Sequence, residues 1–228
     1  MEVRDSARVG RPPGVPEPGP GLAFERLVFF SDAVFAIVIT LLVLPLTAEI
    51  ELPEGDGGQA AAVLALWPVV LTYAVSFLVV GQFWIAHHRT FALLGRHDHG
   101  LVWLNLLLLL TVAFLPFPAA LLGARTDGDA FPVVFYAVSM TLTSCAMTVL
   151  WVYATRRRLL LETVSPSEVR LVTRRAIVTT GAFALSIPGA LLGLPVAAAL
   201  WLVVLPAARA AVTRGILRNG LHGDDAPA

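Results

Sequence analysis

The chain has 228 residues, and its 16 Lys+Arg and 16 Asp+Glu leave no formal net charge. Hydrophobic residues make up 57% and charged ones 14%, where soluble domains average roughly 45–50% and 25%. That balance excludes a disordered chain, a basic nucleic-acid binder and an ordinary soluble enzyme, and it points to an integral membrane protein.

The first twenty residues carry Arg, Pro and Gly without the apolar centre of a signal peptide. Residues 1–22 therefore read as a disordered cytoplasmic tail. Five apolar runs follow. Leu27 to Ala48 carries one charge, Asp32; Gly57–Ala86, Gly100–Ala124, Ala130–Thr155 and Ala176–Ala208 carry none. A helix needs about 20 apolar residues to cross a hydrocarbon core, so the first four runs predict one span each. The fifth is too long for one. Gly193, Leu194 and Pro195 interrupt it, and Pro breaks a helical ladder. Two short spans joined by a tight turn give six in all; one kinked, tilted helix is the alternative. The expected fold is all-α, with a six-helix transmembrane domain over 23–214 and a cytoplasmic tail over 215–228. Between spans four and five, Ser165, Pro166 and Glu168 predict a helix start.

Arginine sets the orientation. All sixteen basic residues are Arg. With six spans, every one except Arg125 falls on the same side, which places both termini in the cytoplasm. Trp67, Trp84, Trp103, Trp151 and Tyr153 lie near span ends, as interfacial aromatics do, whereas Trp201 lies inside span six and reads as a packing residue. The single Cys, Cys145, excludes an intrachain disulfide and a Cys-based metal cluster. No phosphate loop, HExxH or nucleophile elbow is present, so neither an enzyme nor a cofactor is expected.

The first run, ERLVFFSDAVFAIVITLLVLPLT, is the most informative. Asp32 lies about one turn inside it, and an intramembrane acid faces protein or water rather than lipid. It serves either as an ion site or as a hydrogen-bonding hub. At about 100° per residue, Ile37, Leu41 and Leu44 fall within about 60° of one another. Thr40 lies about 60° from Ile37, Asp32 about 140° away, and Ser31 about 120° on the other side. The acid and the apolar stripe thus occupy different faces, which favours the hub. The i, i+4, i+7 spacing of the stripe by itself usually means helix packing.

Arg26, Phe30, Ser31 and Asp32 spell R-x-x-x-F-S-D, followed by the apolar AVFAIVITLLVL. This segment resembles the first helix of the transmembrane protein 175 family of lysosomal and bacterial potassium channels. FWIAHHR at Phe83–Arg89 resembles the end of that family's second helix; Asn105 and the LPFP at Leu115–Pro118 resemble its third. The likeness covers about residues 24 to 120. It implies a homotetramer of single six-span units in the cell membrane, permeable to potassium, with the first helix of each subunit around the pore. It implies a constriction at Ile37, Leu41 and Leu44, with Thr40 linked to selectivity. It also implies a structural network in which Trp84, His87 and Asn105 hydrogen-bond with the Ser31–Asp32 pair. Within that network, His87 or Asn105 is the expected partner of Asp32.

His87, His88, His97 and His99 cluster around the expected connection between spans two and three. Their spacing fits no familiar metal motif, so no metal is expected. Arg156, Arg157 and Arg158 could form a lipid-headgroup patch, although the topology signal alone accounts for them. Glu49, Glu51, Glu54 and Asp56 could concentrate cations at the outer mouth; a solvated loop is the default. Two other functions compete with a channel. A proton-coupled secondary transporter using Asp32 and His87 calls for a midplane site between broken helices, yet Asp32 lies near one end of its span. A membrane-embedded enzyme needs convergent catalytic groups, and the sequence offers none.

Overall fold

The computed structural model describes residues 20–48, 66–124, 129–192, 194–204, 206–207 and 210–214. Their regular structure is helical: α1 (Pro20–Leu41), α2 (Leu44–Ala48), α3 (Trp67–Ala92), α4 (His99–Phe114), α5 (Pro116–Gly123), α6 (Phe131–Arg156), α7 (Pro166–Ala190) and α8 (Leu194–Ala199), then a π-helical turn at Leu200–Val204. Four segments are long and apolar enough to cross a membrane: Leu22–Thr47, Trp67–Ala92, His99–Gly123 and Phe131–Arg156. They correspond to the first four apolar runs. The acidic connection with Glu49, Glu51, Glu54 and Asp56 lies outside the described residues.

Two boundaries differ from expectation. The first helix begins at Pro20, inside the segment read as a tail, since Pro is well suited to a first helical turn. The second span continues six residues past Ala86 and encloses His87, His88 and Arg89. Hydropathy falls there, but nothing in FWIAHHRTFA stops a helix. The connection to α4 shrinks to Leu93–Asp98.

Prolines set the breaks. Pro45 has no N–H to give the Leu41 carbonyl, so α1 ends there. Val43 and Leu46 instead donate three residues back, to Thr40 and Val43, at 3.3 and 3.0 Å. Pro116 does the same within the third span: Leu115 N–H reaches the Val112 carbonyl at 3.0 Å, and α4 passes into α5. α7 starts where expected, and Ser165 and Glu168 form a reciprocal cap there.

α6 lies at the centre. Its Tyr136, Met140, Leu150 and Trp151 are fully buried together with Val80 of α3 and Leu101 and Leu108 of α4. The Tyr136 hydroxyl donates to Ser76 Oγ on α3 at 3.1 Å. Trp201 packs on Tyr136, ring centroids 5.0 Å apart, in the core as its position suggested. Trp151 is a correction, being buried rather than interfacial. Its indole N–H donates to Thr173 Oγ1 on α7 at 2.9 Å, and a donor satisfied by a neighbouring helix has no need of the headgroup region.

The fifth apolar run folds back on itself. A Cβ added at Gly189 would stand 3.1 Å from Leu200 Cδ1 and 3.6 Å from Val196 Cγ1. One continuous helix would hold residues 189 and 200 about 16 Å apart. Lower down, Arg175 Nη2 donates to Thr213 Oγ1 at 2.6 Å. Both pairs are centred near residue 194, so the segment is an antiparallel hairpin.

The two arginine-bearing connections are joined through their main chains. Gly95 and Arg96 N–H donate to the Leu159 carbonyl at 2.9 and 3.2 Å, and Leu161 N–H donates to Leu93 O at 2.9 Å. Asp98, which sequence reasoning passed over, ties this end together. One carboxylate oxygen caps α4 through Leu101 N–H at 2.8 Å; the other accepts from the Tyr153 hydroxyl at 2.9 Å. Partial burial opposes its charge, but these hydrogen bonds and the nearby Arg157 outweigh it and hold the carboxyl below its usual range. The stabilisation is thus full above the ordinary carboxyl pKa of about 3.9 and fades as pH falls through the lower folded value.

Gly100 makes this possible, because a Cβ there would run into the Tyr153 hydroxyl. Gly100→Ala is expected to push Tyr153 off Asp98 at a cost of about 1–2 kcal/mol. A lower melting temperature, with the Gly100→Ala/Tyr153→Phe double variant no worse than Gly100→Ala alone, is the outcome to look for in thermal unfolding. Additive losses would mean that the two residues act separately.

Candidate functional site

α1 has two contrasting sides. Ser31, Phe35, Val38 and Leu42 recur at spacings of four, three and four, and all are buried against α3 and α4. Ile37, Leu41 and Leu44 face the other way and are 58%, 39% and 55% exposed. Leu44 stands beyond the Pro45 break, on α2, so simple helical arithmetic does not carry through to it. Thr40 is exposed too, and its hydroxyl donates to the Ile37 carbonyl at 2.7 Å. Its lone pairs stay available, since a hydroxyl has one donor and two acceptor sites.

The buried side is anchored by polar groups. Ser31 Oγ donates to the Leu27 carbonyl at 2.9 Å. Its one proton is then committed, so it can only accept from Asn105 Nδ2, also at 2.9 Å. Asn105 must therefore turn Oδ1 toward His87 Nε2, 2.9 Å away. An amide oxygen accepts, so Nε2 carries a proton. The chain of donors runs one way: His87, Asn105, Ser31, then main chain. Ser31, His87 and Asn105 are all fully buried. The His87 ring also stacks on Phe91 at 4.1 Å and lies 5.5 Å from Phe35.

Asp32 departs from expectation. Its partner is neither His87 nor Asn105 but the indole N–H of Trp84, which reaches Oδ1 at 2.9 Å. One residue on from Ser31, it is turned about 100° away, toward the half-exposed side of α3 that Trp84 occupies. The structure thus brings together Ser31, Asp32, Trp84, His87 and Asn105, in two branches. Arg26 and Phe30 stand exposed on α1, outside both. Phe35 was missed at the sequence level, although its position between Ser31 and Val38 on one helical face carried the signal. The other histidines disperse: His97 stacks on Phe24 at 5.6 Å, and His88 lies beside Trp84 at 5.9 Å.

Comparison with known proteins follows the same residues. A family model described as the endosomal/lysosomal potassium channel TMEM175 matches residues 26–116. A potassium channel of Streptomyces collinus is 41% identical over 136 residues, which span 58% of this chain and 64% of that one. A potassium channel of Chamaesiphon minutus is 37% identical over 162 residues, 66% of this chain and 75% of that one. The fold agrees: a crystal structure of a lysosomal potassium-selective channel TMEM175 homolog from Chamaesiphon minutus superposes with a TM-score of 0.70 at 29% identity, covering 83% of this chain and 98% of its own. With the family model matched over residues 26–116 and a curated relative 37% identical and covered over three quarters of its length, the chain belongs to the TMEM175 family.

Proposed function

We propose that this chain is a potassium-permeable cation channel of the cell membrane, a homotetramer of six-span subunits with α1 of each around the pore. The observation that carries the reading is the exposed apolar stripe of Ile37, Leu41 and Leu44, back to back with a face held rigidly by buried hydrogen bonds. Four copies about an axis would stack apolar rings of Ile37, Leu41 and Leu44, a constriction able to gate by dewetting. The potassium channels among its relatives support the choice of ion. The hairpin supports six crossings, because Arg175 and Thr213 lie together at one end. Arg209, Arg214 and Arg218 then join the cytoplasmic arginines, and both termini share that side. Against a proton-coupled transporter, Asp32 and His87 stand in separate branches and each is engaged in helix packing. Recording from the protein in a planar bilayer under a potassium gradient tests the reading. Unitary currents reversing near the potassium potential are expected; saturable, proton-linked uptake without unitary steps would overturn it.

Thr40 gives the selectivity test. Its hydroxyls, one from each of four subunits, would offer four oxygens between two apolar rings while each donates to its own Ile37 carbonyl. Oxygens that replace part of a hydration shell favour the ion that loses water more easily, potassium over sodium. Thr40→Val keeps the shape and removes the oxygen. A lower potassium-to-sodium permeability ratio with normal assembly is expected, and an unchanged bi-ionic reversal potential would remove Thr40 from selectivity.

A further inference from the structure

A narrow cleft, open at its mouth, runs between α3, α6 and α7, away from the stripe on α1. One face of each helix lines it. On α3 these are Val79, Gln82, Phe83, Ala86, Arg89 and Thr90; the stretch from Val79 to Arg89 is about 15 Å long. The cleft changes character along that length. Toward one end it is apolar, closed by the stacked rings of Phe83 and Phe183, 5.5 Å apart. At the other end stand Arg89 and Arg175, near enough for their charges to act on one another. The same two arginines line a second, adjoining cleft beside Pro206 and Thr213. Among the described residues no carboxylate pairs with either arginine. Arg175 spends Nη2 on Thr213, while its Nε is buried without a partner among the described residues. Two like charges lining the same end of the cleft, one with a buried idle donor, call for an anion. The apolar trough running from them calls for a hydrocarbon chain.

We infer that this cleft seats one anionic phospholipid of the arginine-rich leaflet, its phosphate between Arg89 and Arg175 and an acyl chain along α3 toward Phe83 and Phe183. Basic pockets between membrane helices suit such headgroups. The site is separate from Arg156–Arg158, at the C-terminal end of α6, which line neither this cleft nor the adjoining one.

The test is native mass spectrometry of the delipidated full chain, titrated with phosphatidylglycerol, phosphatidylcholine or glycerol phosphate. One saturable phosphatidylglycerol per chain is expected, with phosphatidylcholine and glycerol phosphate much weaker. Arg89→Gln/Arg175→Gln should weaken phosphatidylglycerol binding roughly 30-fold. Arg156→Gln/Arg158→Gln, which removes equal charge, should leave it unchanged. The inference is overturned if the parent chain retains no lipid or binds phosphatidylcholine equally well. It is also overturned if both double variants lose binding alike, or if glycerol phosphate binds as tightly as the lipid, which would indicate a free-anion site. The three ligand titrations on the parent chain decide the matter even where a variant does not fold.

Discussion

Asn105→Ala is expected to destabilise the folded subunit by about 2–4 kcal/mol. The loss has two parts. Ser31 keeps its bond to Leu27, but the Nε2 proton of His87 loses the acceptor that Asn105 supplied, in a fully buried site. An orphaned buried donor costs about 1–3 kcal/mol, and the space left by the amide adds to it. Loss of the intact assembly on size exclusion, and a lower melting temperature, would report it. His87→Phe preserves a ring against Phe91 and removes the stranded proton. Added to Asn105→Ala, it should restore part of the loss, a coupling of about 0.5–3 kcal/mol. Strictly additive losses would show that the one-way donor chain contributes nothing as a unit.

Ile37→Asn is expected to raise unitary conductance several-fold while weakening discrimination between potassium and sodium. Ile37 is the most exposed member of the α1 stripe. Around an axis, four isoleucines would exclude water; four amides would hold it and shorten the dry path an ion must cross. The change lies on the face opposite the buried anchors, so folding should survive. Bilayer recordings with a confirmed tetramer decide the point. Unchanged conductance in an assembled Ile37→Asn protein would take Ile37 off the ion path, and with it the argument for Leu41 and Leu44.

Hydropathy carried the first four spans because about twenty nearly uncharged residues in a row have few other uses. The α7 start was legible too, since Ser165 and Glu168 satisfy each other within four residues. What stayed hidden depended on neighbours far along the chain. Asp32 and Ser31 are adjacent in sequence and look interchangeable as partners for Asn105; only the rotation of α1 against α3 and α4 assigns Ser31 to Asn105 and Asp32 to Trp84. Trp151 looked interfacial because its partner, Thr173, lies 22 residues on, across a loop. Asp98 was overlooked among histidines, although an acid three residues before a helical N–H is an ordinary cap. The anchoring residues are therefore partly readable from the motif, and the pairing among them is not.

The join between Leu93–Arg96 and Leu159–Leu161 has a consequence for the order of biosynthesis. Its bonds link residues more than 60 positions apart. A chain emerging from the ribosome completes α3 and α4 well before Leu161 exists. Until then the amides of Gly95 and Arg96 have no main-chain acceptor from the later loop, and Asp98 lacks Tyr153. The first three spans can insert one by one, but their arginine-bearing end closes only once α6 has been made. Contacts of such long sequence separation form late. Nascent chains halted before residue 161 should accordingly expose the Leu93–Asp98 segment to protease, and chains halted beyond it should protect that segment.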